Sequence, residues 1–292
     1  MKNRPTMISK SQQKLIRSLE QKKYRQREGL FVAEGPKVVG DLLRRMPPRV
    51  IFATSQWVEQ HSADGFGQIP ASQIPANQIL SSQIHTRQTL SNQIHEISLS
   101  ELQHVSFLQH PQQVLALFPL PEQAADAAMQ PSVLQLPARE LVLALDGIQD
   151  PGNLGTIIRL ADWFGIGTIL CSTDTADAWS PKVVQATMGS IARVHIIYYD
   201  LNEWLSALPS DVPVYGTMLN GTDMYRQSLT QHGVIIMGNE GNGISEQVAA
   251  RVSHKLLIPN FSLTPDDTAE SLNVAIATAI TCAEFRRKAL AG

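Results

Sequence analysis

Three short blocks gather the residues able to do chemistry. The first, Asn153-Leu-Gly-Thr-Ile-Ile-Arg159, sets an amide and a guanidinium on one apolar segment. The second, Met237-Gly-Asn-Glu-Gly-Asn-Gly243, sets one carboxylate, Glu240, among glycines and amides. The third joins Ile258-Pro259 to Ser271-Leu-Asn273. Asn153 is either a helix cap or a hydrogen-bonding group of a site. Arg159 lies among Ile157, Ile158, Leu160 and Ala161, so it needs an ion-pair partner, Asp146 or Asp162, or an anionic ligand. Ser271 and Asn273 fit a cap or a site equally well. The glycines of the second block let main-chain amides approach a ligand closely. Its spacing is not the G-x-G-x-x-G of a dinucleotide site. Glu240 would repel a phosphate there and suits a ligand carrying a positive sulfonium.

Each block follows an apolar run, and strand ends are where an α/β sheet places its ligand. From Glu140 the runs Leu141–Leu145, Thr168–Cys171, Val194–Tyr198, Val214–Met218, Val234–Met237 and Leu256–Ile258 have strand length. Helical stretches separate most of them: Leu154–Phe164, Pro181–Ile191, Leu201–Leu208 and Ile244–Val252. That alternation predicts a parallel sheet covered on both faces. A final helix is expected over 270–290. It is apolar over most of its circumference, which asks for burial on more than one side.

The first 118 residues read as a smaller α/β domain, with basic helical turns over 9–27, strands at 29–35, 49–53 and 113–118, and a helix from Pro36. Residues 68–97 carry Gln-Ile pairs at a period of five, which neither helix nor strand has. They read as a repeat-rich surface insertion, with a short solenoid as the alternative. Residues 119–138 read as a linker and 139–292 as the second domain.

The composition, 43% hydrophobic and 17% charged, is that of a packed globular protein. The net charge of −2 gives no general pull toward nucleic acid. Residues 1–27, however, hold nine Lys and Arg against one acid. That basic face, with Lys14, Arg17, Lys22, Lys23 and Arg25 as the candidate contacts, can neutralise phosphates or be only a solvated surface. Cys171 and Cys282 read as buried thiols, no metal-ligand spacing occurs, and no apolar run approaches the ~18 residues of a membrane span. A cytoplasmic protein is expected.

In their order and content the three blocks resemble the SpoU (TrmH-like) RNA ribose 2′-O-methyltransferases of the SPOUT superfamily. The resemblance implies a C-terminal SPOUT domain with a deep trefoil knot and an N-terminal domain like ribosomal protein L30e that binds substrate. It implies S-adenosylmethionine as cofactor, no metal, an RNA substrate (ribosomal or transfer RNA) and a homodimer sharing its active site. Asn153, Arg159, Glu240, Ser271 and Asn273 would then be catalytic. Arg159 would contact an RNA phosphate or help activate the ribose hydroxyl. Thr217, Met218, Gly238, Asn239, Gly241, Ile258 and Leu272 would hold the cofactor. Residues 260–270 form a longer connection than the family's usual one. The alternative is a non-catalytic RNA-binding or ribosome-assembly protein on the same fold.

Overall fold

The computed structural model describes residues 7–63, 93–121, 127–262 and 269–291. The chain forms two compact units, Met1–Pro121 with Trp179–Ala192, and Glu122–Ala178 with Arg193–Gly292.

In the first unit the basic stretch splits into α1 (Lys10–Ser18) and α2 (Lys22–Glu28). Ser9 and Gln12 cap α1 reciprocally, and Gly29 ends α2 in a left-handed conformation, φ 64°. There follow β1 (Leu30–Glu34), α3 (Pro36–Leu43), β2 (Val50–Ala53), α4 (Ser55–Ala63), β3 (Ile94–Glu96), α5 (Leu99–Val105) and β4 (Val114–Pro119). Pro36 opens α3, and Ser98 with Glu101 forms a second capping box. The sheet order is β1-β4-β2-β3. Ile16, Leu19, Val32, Phe52, Ile97, Leu102, Leu115 and Leu117 pack in one core cluster. Most of the period-five array lies outside the described residues. Its last pair, Gln93-Ile94, leads into β3, so the insertion ends before residue 94 and not at 97.

The stretch expected as a linker is largely folded. Residues 127–138 form a 3₁₀ turn, the short helix α6 (Pro131–Leu134) and a second 3₁₀ turn. Ala128, Val133, Leu134 and Leu136 cover apolar residues of the second unit's core, so this stretch is held by burial. The elements that follow are β5 (Leu141–Asp146), α7 (Pro151–Trp163), β6 (Thr168–Cys171), α8 (Pro181–Ala186), β7 (His195–Tyr198), α9 (Leu201–Ser206), β8 (Val214–Asp223), β9 (Gly233–Gly238), α10 (Glu246–Ala249), β10 (His254–Leu257) and α11 (Val274–Ala291). The six strands β5 to β10 form one sheet of order β10-β8-β9-β5-β6-β7, every pair parallel.

Several boundaries move. Both α8 and α10 are shorter than the patterns predicted, and β8 runs on to Asp223. The final helix starts at Val274 because Asn273 caps it. Although 139–292 was expected to stand as one domain, Trp179–Ala192 packs with the first unit, where Trp179 lies 4.9 Å from Phe31 ring to ring. Among the described residues no helix is long and apolar enough to cross a membrane.

Candidate active site

The sheet winds outward in both directions from its centre: β6 and β7 lie beyond β5, and β8 and β10 beyond β9. The crevice at such a reversal is where open α/β sheets bind ligands. Asp146 and Gly238, the last residues of β5 and β9, are register partners, so the two following loops start side by side.

The first loop is fastened to the end of β6. Gly147 donates its N–H to Ser172 Oγ at 2.8 Å, and Ile148 donates to Thr175 Oγ1 at 3.3 Å. Asp150 caps α7, its carboxylate accepting the Asn153 N–H at 2.8 Å. The Asp150-Pro151 pair is the start signal that the sequence reading passed over. Asn153 therefore sits inside the first turn, not at the cap, and its side chain is free to serve another purpose.

The second loop folds on itself. Asn239 and Gly243 exchange main-chain hydrogen bonds of 2.9 Å each. The Asn239 side chain donates to Gly147 O at 2.7 Å and accepts from Gly241 and Asn242 N–H at 2.9 and 3.1 Å. Asp146, 8% exposed, accepts the Ser245 N–H at 2.8 Å. Glu240 is left exposed at the tip. Gly238 has an internal reason to be glycine, since a Cβ there would stand 2.3 Å from Gly243 C and 2.4 Å from Ile244 N.

The third block closes the arrangement. Asn273 Oδ1 caps α11, accepting from Ala275 and Ile276 N–H at 3.0 and 3.3 Å. Its Nδ2 donates to Asn153 Oδ1 at 3.0 Å and to Glu240 Oε1 at 3.1 Å. Asn153 Nδ2 donates to the same Glu240 oxygen. Residues 87 and 33 positions from Glu240 thus meet on one carboxylate. Ser271 is exposed and shares no hydrogen bond with these three among the described residues.

Both ion-pair partners offered to Arg159 are committed elsewhere. Asp162 is held by Arg193 at 2.8–3.0 Å, and Asp146 by the Ser245 amide. Arg159 is exposed on α7 and makes no ion pair among the described residues, so the structural reading of this arginine does not hold. The anionic-ligand reading remains.

Strand β8 leaves both of its ladders after Gly216. Its pairing with β10 passes from Gly216–Lys255 to Thr222–Leu256, so residues 217–221 have no register partner there. Pairing with β9 also ends at Gly216. Gly221 permits the close crossing, because a Cβ would stand 2.6 Å from Leu256 C. Thr217 turns its hydroxyl inward to Ile236 O, 3.4 Å away. Met218, Gly238 and Ile258 are half-buried, and Leu272 is exposed. Among the described residues no group of three His, Cys, Asp or Glu is placed to hold a metal.

Comparison with known proteins settles the family. The profile of the SpoU rRNA Methylase family matches residues 140–283, and that of an MRM3-like substrate binding domain matches 10–116. The 23S rRNA (guanosine(2553)-2'-O)-methyltransferase RlmP of Bacillus subtilis is 32% identical over 196 residues, covering 66% of this chain and 73% of its own. The chain belongs to the SpoU methylase family. A TrmH-family protein from Porphyromonas gingivalis shares the fold with TM-score 0.77 and 37% identity, over 97% of this chain and all of that one. An S-adenosylmethionine-bound rRNA methyltransferase from Sinorhizobium meliloti gives 0.74 and 28%, over 97% and 96%.

As a SpoU methylase the chain is an S-adenosylmethionine-dependent RNA 2′-O-methyltransferase. Two features of the second unit suit that cofactor on their own chemistry. Main chain released from the sheet ladder at 217–218 offers donors and acceptors for a nucleoside, and the Glu240 carboxylate, which has neutral amide donors as its partners, suits a sulfonium.

The expected RNA contacts of the first unit divide. Arg25 is 2% exposed and gives its guanidinium to Leu19 O and Glu20 O at 2.6 and 2.7 Å. It holds the α1–α2 turn and cannot meet RNA; its charge misled the sequence reading. Lys14, Arg17, Lys22 and Lys23 are exposed. The two thiols are buried, and burial pushes that of Cys282 up to about 12.

Proposed function

We propose that this methylase modifies ribosomal RNA, and that Asn153, Glu240 and Asn273 order the site in which the ribose hydroxyl is presented. The convergence of these three side chains from three strand-end loops is the observation that carries the reading. S-adenosylmethionine supplies an electrophilic methyl group when bound, with Thr217, Met218, Gly238, Gly241, Ile258 and Leu272 as its contacts. Asn239 serves by holding the loop that carries Gly241. Arg159 is assigned to an RNA phosphate beside the reacting ribose. A guanidinium stays protonated below pH ~12, so it orients the substrate and does not take the proton. Fixing the hydroxyl in line with the methyl group supplies much of the rate. Ribosomal RNA is favoured because the Bacillus subtilis relative is named for 23S rRNA and the first unit matches an MRM3-like substrate binding domain.

A homodimer is part of this proposal, with Arg159 or the Asn153 loop approaching the partner's cofactor site, as is a knot formed where the chain passes from β10 to α11. Trp163 and Ile276, 84% and 54% exposed on the packed helices α7 and α11, support an apolar face that a second copy would cover. Light scattering at micromolar concentration tests it, and a stable, fully active species of about one chain mass, 32.1 kDa, rejects it. The function is tested with tritiated S-adenosylmethionine and separated ribosomal and transfer RNA from a strain lacking the protein. Label confined to ribosomal RNA and resistant to alkaline cleavage at one ribose is expected. Label on transfer RNA alone would overturn the substrate assignment.

A further inference from the structure

The geometry points to a built site for RNA backbone phosphates in the groove between α1 and α5. The groove has a volume of ≈ 580 Å³ and is lined by Lys10, Gln13, Lys14, Arg17, Gln103 and His104. No lining residue is acidic. This inference rests on the reading of the chain as an RNA methylase and names the substrate group that the first unit holds.

Position and order both favour the groove over the other cations nearby. Lys10, Lys14 and Arg17 recur at i, i+4 and i+7, so they share one helix face over about 10 Å. Two long-range bonds clamp the walls together: Ile8 N–H to Glu101 Oε1 at 3.2 Å, and Arg17 Nη2 to His104 O at 2.8 Å. The Arg17 guanidinium also lies over the Phe107 ring, 5.6 Å from its centroid. One cation is thus held in a fixed place, at low entropic cost for binding an anion. Both oxygens of Glu101 are taken up by hydrogen bonds, Oε2 accepting from the N–H and Oγ of Ser98 and Oε1 from the Ile8 N–H. Around α2, in contrast, Lys23 and Arg27 lie over the Tyr24 ring, Arg27 pairs with Glu28, and Arg25 is buried. The cations of α1 and α2 therefore do not act as one diffuse face. Gln13 and Gln103 add neutral donors suited to phosphate or ribose oxygens.

The test compares two doubly substituted full-length chains, Lys10→Gln/Lys14→Gln and Lys22→Gln/Lys23→Gln, with the unsubstituted protein. The probes are a fluorescein-labelled 20-nucleotide polyuridine and protein-free ribosomal RNA, titrated between 50 and 400 mM KCl. Each phosphate contact of a single strand contributes about 0.7 to the slope of log affinity against log salt. The groove variant should therefore lose about 1.4 in slope and about tenfold in affinity at 150 mM salt. The α2 variant should lose less than half of that. S-adenosylmethionine affinity, measured by calorimetry, should not move in either, which also reports that both remain folded. An unchanged slope in the groove variant, or an equal loss in both variants, overturns the site. If the unsubstituted chain binds RNA with the expected groove dependence but methylates none, the catalytic reading fails and the groove stands. A Lys14→Glu chain that binds as well as the parent would likewise reject the groove.

Discussion

Asn273 does two jobs, and replacing it in two ways separates them. Its Oδ1 caps α11, while its Nδ2 bridges Asn153 and Glu240. Loss of an N-cap costs about 1 kcal/mol. The two amide contacts contribute about 0.5 kcal/mol each to stability, at the low end of the usual range because Asn273 is exposed and water replaces them. Asn273→Ala should therefore cost about 2 kcal/mol and lower Tm by about 4–8 °C. Asn273→Ser keeps a capping hydroxyl and loses only the amide, so Tm should fall by about half as much. If the amide positions the site, both variants lose the same transition-state contacts. A loss of about 1.4 kcal/mol is tenfold in rate. The assay is single-turnover methyl transfer from tritiated S-adenosylmethionine with RNA in excess, beside calorimetric melting. The expected result is an equal, about tenfold loss of rate in both, with unequal melting temperatures. A serine variant with full rate, or rates that follow Tm across the pair, would refute the positioning role and leave Asn273 a simple cap.

Other predictions follow from packing and burial. Gly238→Ala and Gly221→Ala should both lower Tm sharply, because the new Cβ meets main chain at 2.3 and 2.6 Å with no flexible group to yield. A melting curve unchanged by either would mean that the strand crossing is looser than described. Glu34 is a buried acid of the first unit, receiving Ser106 Oγ and the Phe107 N–H. Burial raises its pKa above the usual carboxylate value, against the pull of those bonds and of Arg17. The folded state then holds the proton more tightly than the unfolded one, so this group's contribution to stability is greatest at low pH. It falls as pH rises from about 4.5 through the raised value, and is flat above it. Melts of the parent and Glu34→Gln between pH 4 and 8 should converge toward acid pH and diverge toward neutral, the Gln variant gaining relative to the parent. Parallel curves would show that Glu34 does not titrate in this window.

Much of the site was legible because its residues break local rules. Glu240 among glycines and Arg159 in an apolar helix are costly unless something outside the helix or turn requires them, and that conflict is visible in a sequence. The parallel sheet was legible because buried strands are almost continuously apolar, as β5 and β9 are. What stayed hidden depends on the third dimension. The five-residue span of β8 without a register partner has no periodicity to announce it, and Gly221 reads like any strand glycine until Leu256 is seen against it. Residues 127–138 read as a linker because Pro, Ala and Gln dominate, yet a few apolar side chains at suitable spacing were enough to seat them on a core.

Two arginines bear on function in opposite ways. Arg25 carries the same charge and lies in the same basic run as Lys14, but it is spent on main-chain carbonyls. Arg159 was offered two structural partners by the sequence, and neither takes it. Composition therefore overcounts RNA contacts in the first unit and undercounts the case for a ligand in the second. Since a guanidinium cannot be titrated away near neutral pH, an exposed one that makes no ion pair among the described residues is most economically explained by an anion that arrives with the substrate. On the proposed function, electrostatic recognition of RNA would fall at two points of the chain, the α1–α5 groove and Arg159, while the Asn153–Glu240–Asn273 triad would order the ground between the loops where the ribose sits.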